Sequence, residues 1–144
     1  MRLGKFRKGQ MAVVMTLVIA TLVGVMSLGA DVGVMYYSWV QLQKGADAAA
    51  VAAVVEINQR AFRDSGELHS TGATYSWAQS YANMNNDYLG GLGIHPRVTS
   101  IRINDANDTV YVAVSADISA LFPSIVPEVF VEETGTAQAR SFGR

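Results

Sequence analysis

The chain contains no cysteine. That excludes a disulfide scaffold, a cysteine-ligated zinc module and a thiol nucleophile. Charged residues are scarce at 16%, no acid precedes Asp31, and no proline occurs in the first 63 residues. What fills the space is apolar: half of the 144 residues are hydrophobic. The few charges are unevenly placed. Four of the 11 basic residues (Arg2, Lys5, Arg7, Lys8) stand ahead of every acid, and the remainder has a net charge of −5. A basic tip on an acidic body excludes a nucleic-acid surface, which requires a basic patch on the folded part. It suits a chain whose two ends lie on opposite sides of a membrane.

Met11–Ala30 is a stretch of 20 residues without a charge. As a helix it covers roughly 30 Å, the thickness of the hydrocarbon core. The cations before it put residues 1–10 in the cytoplasm by the positive-inside rule, and Tyr36, Tyr37 and Trp39 after it suit the far interface. A cleaved secretory signal would have a shorter core and a small residue three back from the cut. Leu28 occupies that place ahead of Ala30, so the expectation is an anchor. Ala12, Thr16, Ala20 and Gly24 recur every four residues and Gly29 and Gly33 form a GxxxG pair, seams that allow close helix approach.

The helical pattern does not stop at Ala30. Alanine, the best helix former, dominates residues 31–63, and Leu42, Ala46, Ala49, Ala53, Ile57 and Ala61 share one face. Glu56 and Arg60 pair on a more polar face. A helix from Gln10 to Phe62 would be on the order of 80 Å long. Between Ala46 and Val55 it is apolar nearly all round, with Asp47 as its one charge. One side is expected to cover the outer domain and the other to meet other chains.

Residues 64–144 read as that outer domain. Asp64–Gly72 is a loop. Thr74–Tyr88 is a short helix with Trp77, Tyr81, Met84 and Tyr88 as its apolar stripe. Val98–Ile103 reads as a strand, Asn104–Asp108 as a turn, and Val110–Ile118 alternates with the period of a half-buried strand. After Leu121–Pro127 a last strand runs from Val129 to Arg140, broken near Gly135. The expected fold class is therefore α+β and pilin-like: a long N-terminal transmembrane helix packed by its outer half on a small antiparallel sheet, plus one short helix.

Little here carries chemistry. His69 and His95 lack metal-site spacing, and no GxSxG elbow or phosphate-binding glycine loop is present. Asn104, Asp105, Asn107 and Asp108 offer oxygens but lack the glycine and distal glutamate of a calcium loop. Glu132 and Glu133 fall on opposite faces of a strand. No enzyme, cofactor, resident metal or small-molecule substrate is expected.

The stretch from Arg7 to Val14, the apolar span, Gly29–Tyr37 and Gln41–Ala53 together resemble the N-terminal segment of TadE/TadG-like proteins of bacterial tight-adherence (Flp) pilus systems. The shared pattern is a glycine before the span, Asp-x-Gly with Tyr-Tyr, then Leu-Gln-x-x-x-Asp-Ala-Ala. It falls here on Gly9, Asp31, Gly33, Tyr36, Tyr37, Leu42, Gln43, Asp47, Ala48 and Ala49, within residues 7–56. The resemblance implies an inner-membrane protein, N-terminus inside, that works through helix packing with other pilin or assembly subunits. It also implies a peptidase site between Gly9 and Gln10, although the position five residues after Gly9 is Val14 where cleaved pilins carry glutamate. The TadG branch carries a large additional domain, for which 144 residues leave no room. The expected role is a minor pilin or assembly component. Ala46, Ala49 and Ala53 join the seam residues in helix packing, and Asp31 and Asp47 pair with basic groups of neighbours. The alternatives are a major structural pilin and a membrane-anchored module that binds a ligand or calcium.

Overall fold

A computed structural model of the chain describes residues 8–57, 62, 64, 66–84, 87–121 and 128–139. The elements bounded among the described residues are the helices α1 (Lys8–Val55), α2 (Gly72–Met84) and α3 (Asp87–Gly91), followed by the strands β1 (Arg97–Asn104), β2 (Thr109–Ile118) and β3 (Val129–Gln138). The expected long helix, short helix and antiparallel sheet are all present. Residues 1–7 of the expected ten-residue leader, Arg60, Ala61, Phe122–Pro127 and Arg140 lie outside the described residues.

α1 runs unbroken for 48 residues, about 72 Å. No proline interrupts it, and the alanine-rich upper half has high intrinsic propensity. In the lower half, the hydroxyls of Thr16, Thr21 and Ser27 donate to the carbonyls of Ala12, Leu17 and Val23 at 2.8–2.9 Å, so these polar groups need no outside partner. Burial begins at Asp31 and recurs at Ser38, Leu42, Ala46, Ala49, Ala53 and Ile57, the three-and-four spacing of one helix face.

The helix ends at Val55, short of the expected Phe62. The Ile57 N–H turns back to the Val54 carbonyl at 3.4 Å, and the Glu56 carbonyl accepts from the Thr71 hydroxyl at 3.4 Å. Ile57 is buried with Leu68 in the core.

α2 starts beside that end. The Thr74 hydroxyl accepts from the Thr71 N–H at 2.8 Å, half of a capping box. α2 descends antiparallel to α1, so that Tyr88 of α3 meets Tyr37 of α1, ring centroids 4.7 Å apart and edge-on. The expected apolar stripe of this segment faces outward. Trp77, Tyr81, Met84 and Tyr88 are exposed, while Thr74, Ala78 and Ala82 are buried. Two helices pack closely through small side chains, so the alanine face won over the aromatic one. Gln79 then clamps α2 to the sheet: its amide donates to the Pro96 carbonyl at 3.0 Å and its oxygen accepts from the Val98 N–H at 2.8 Å.

The sheet order is β1-β2-β3, antiparallel throughout. α1 packs over β2 and β3, and α2 lies beside it against β1. Val110, Val112, Val114, Ala116 and Ile118 are buried beneath the helices. A register shift between Val98 and Ser100 is a bulge. It brings Val98 onto the side of Ile101 and Ile103, a change of parity that simple alternation does not predict. At the β1–β2 turn Asp108 takes φ +52°, a left-handed conformation that aspartate tolerates.

β3 is continuous, not broken near Gly135. Gly135 pairs with Val112, and a Cβ there would lie 2.0 Å from the Ala46 carbonyl oxygen. The glycine marks the closest approach of sheet and helix, not a strand end.

Candidate interaction surface of the long helix

Below Asp31, α1 is left exposed by the other described residues. Twelve large apolar side chains between Met11 and Leu28 are each about half exposed or more. Leaving such groups in water forfeits about 1.5–3 kcal/mol each, against a total stability of about 5–15 kcal/mol for a typical domain. This half therefore requires an apolar surrounding, and the helix is long and apolar enough to cross a membrane.

The seam residues other than Gly33 lie on this bare half. A Cβ placed on Gly9, Gly24, Gly29 or Gly33 meets no atom within 4 Å, and Ala12, Thr16 and Ala20 are likewise exposed. Gly9 and Gln10 sit in the first turn, also exposed.

Above Asp31 the picture reverses. Ala46, Ala49 and Ala53 are fully buried, in one cluster with Ala78 and Ala82 of α2 and the valines of β2. They pack within the chain, against α2 and the sheet, while Lys44, Asp47, Val51 and Val55 stay exposed on the other side of the helix. Asp31 is also turned inward: fully buried, it accepts from the Leu121 N–H at 2.8 Å. It latches the end of β2 to the base of the helix. Asp47 remains exposed.

Tyr36, Tyr37 and Trp39 ring the helix just above Asp31. Tyr36 and Trp39 are 5.7 Å apart, and the Trp39 indole N–H donates to the Glu133 carboxylate. Between α1 and the lower ends of β2 and β3 lies an apolar recess of about 310 Å³, lined by Val32, Met35, Tyr36, Trp39, Ile118 and Val131 among others. A larger polar recess of about 640 Å³ opens on the opposite sheet face around Arg102, Tyr111 and Glu132. Sequence reasoning missed both recesses, because each is assembled from separate strands.

The residues weighed for chemistry do not converge. His69 lies 3.5 Å from Glu67 on an exposed loop. Asn104 accepts from the Ala106 N–H at 3.1 Å, as turn residues do, and Asp105 ties the turn to the distant Leu68 N–H at 3.2 Å. Among the described residues no three acidic or histidine side chains gather as a metal site.

A helix sheathed above by its own small α+β domain and bare below defines a class: a protein built on one apolar stalk. Residues 9–56 match the Tad family model, described as "Putative Flp pilus-assembly TadE/G-like". The matched part is α1 without Lys8, plus Glu56, and it is this third of the chain that is similar to TadE/G-like proteins. No curated protein and no solved structure matches the chain.

Proposed function

We propose that this chain is a non-enzymatic minor pilin or assembly component of a tight-adherence (Flp) type pilus. In this reading the lower half of α1 spans the bacterial inner membrane, with the N-terminus cytoplasmic and the α+β domain outside. One observation carries it: the TadE/G-like segment coincides with a helix that its own domain covers above Asp31 and leaves bare below. A bare helix with an open seam at Ala12, Thr16, Ala20, Gly24, Gly29 and Gly33 can pack against the helices of other pilus subunits, where small residues permit close approach. Tyr36, Tyr37 and Trp39 set the depth, since tyrosine and tryptophan favour the headgroup level. Asp47, which is exposed, pairs with a basic group of a neighbour, and Asp31, buried against Leu121, would do so only where a neighbour's side chain reaches its second oxygen.

The test is a deletion strain complemented with wild type, Gly24→Leu or Asp47→Ala, scored for surface filaments at matched protein level. Gly24→Leu is expected to abolish filaments and Asp47→Ala to reduce them. Normal filaments in the deletion strain itself would sink the reading. Intact mass from native membranes reports processing: a Gln10–Arg144 mass indicates a subunit released into a filament, an uncut mass a fixed assembly factor, and a cut after Ala30 neither.

A further inference from the structure

The level at which α1 leaves its bare half is marked from several directions. Leu121 is tied to Asp31. Ile118, Val129 and Val131 share a recess with Val32, Met35, Tyr36 and Trp39. Tyr88 stacks edge-on against Tyr37, and Glu133 meets Trp39. Each contact falls on residues 31–39 of α1, about 12 Å of helix. At this level the outer domain exposes Leu121, Tyr88, Val129 and Phe130, the last at 65%.

The outer face of β3 sharpens the point. Its successive residues are Phe130, Glu132, Thr134, Thr136 and Gln138, so the only apolar one stands at the base. Trp77, Tyr81 and Met84 climb α2 away from the base and belong to another surface.

We propose that the base of the outer domain is itself a lipid contact. Tyr88, Leu121, Val129 and Phe130 complete, with Tyr36, Tyr37 and Trp39, a collar seated in the headgroup–acyl boundary of the membrane that α1 crosses. The inference rests on the spanning reading above and extends it from the helix to the domain. Exposed apolar patches mark interaction sites, and this one is continuous with the bare helix surface below it. Its composition, aromatic rings with polar tips beside aliphatic side chains, is that of interfacial segments. The described charged side chains near this level are acidic (Asp31, Asp117, Glu128, Glu132 and Glu133) apart from Arg97 at the β1 edge, so anionic lipid is not what the seat would select.

The absence of native cysteine permits a direct test on the full chain reconstituted in phosphatidylcholine vesicles. Phe130→Cys, Thr134→Cys and Val18→Cys are each labelled with the fluorophore NBD, then challenged with aqueous iodide and with nitroxide-bearing lipids. The collar predicts blue-shifted emission at 130, loss of iodide quenching, and strongest quenching by a headgroup-level nitroxide. Position 134, higher on the same face, stays iodide-accessible, and position 18 responds to a deep nitroxide. Iodide access at 130 with position 18 still deep overturns the collar and leaves the span intact. No lipid response at 18 overturns the span and the collar with it. Protection at 130 that vanishes below one chain per vesicle assigns the face to a second copy and overturns the lipid seat.

Discussion

The two halves of α1 invert the usual relation between side-chain size and burial. The lower half carries valine, leucine, isoleucine and methionine, and they are exposed. The upper half carries alanine, and Ala46, Ala49, Ala50 and Ala53 are fully buried. What differs is the neighbour. Lipid tails conform around bulky side chains, whereas a folded sheet and a second helix approach closely only where side chains are small. Residue hydrophobicity alone would have put the core in the wrong half.

The largest expected effect comes from closing the space that the small residues keep open. Gly135→Val places a side chain against the Ala46 backbone, which cannot retract as a flexible side chain could. The loss should exceed about 3 kcal/mol, the upper end of ordinary overpacking. Urea unfolding in detergent, followed by tryptophan fluorescence, reads it, and Thr134→Val next door should change little. Wild-type stability for Gly135→Val would mean the sheet does not touch the helix there.

A charge separates the halves next. Val18→Arg should disfavour membrane insertion by about 2.5–3.5 kcal/mol and move protein from the membrane pellet into the carbonate-extractable fraction. Val51→Arg, at an exposed position of the upper half, should change neither retention nor stability by more than about 0.5 kcal/mol. Equal behaviour of the two would erase the distinction. Apart from the near-silent Val51→Arg, the smallest effect is expected at Gln79→Ala, which leaves the Val98 N–H without its side-chain acceptor. A cost of about 1–3 kcal/mol, read as a lower thermal midpoint with unchanged membrane retention, confines that residue's role to the upper half.

The sequence was informative wherever one element's own periodicity decides the outcome. The apolar run of α1, the face through Leu42, Ala46, Ala49, Ala53 and Ile57, and the alternation from Val110 to Ile118 were all legible. It misled where a neighbour decides. Trp77, Tyr81, Met84 and Tyr88 form a good helical stripe, yet α1 selected the Thr74–Ala78–Ala82 face because it packs closer. Gly135 looks like a strand break until Ala46 is set above it. Of the candidate site, the open seam could be read from spacing. The inward turn of Asp31 could not, because its partner Leu121 is 90 positions away.

The continuity of α1 through Asp31 has a mechanical consequence. With no hinge between the halves, the heading of the outer domain about the helix axis is set by the number of residues below it. Inserting one residue between Gly24 and Asp31 would swing the sheet by about 100° relative to the Ala12–Gly24 seam while raising it by only about 1.5 Å. Inserting seven would nearly restore the heading and lift the domain by about 10 Å. The stalk thus acts as a key whose cut fixes the compass direction in which the β-sheet faces its neighbours.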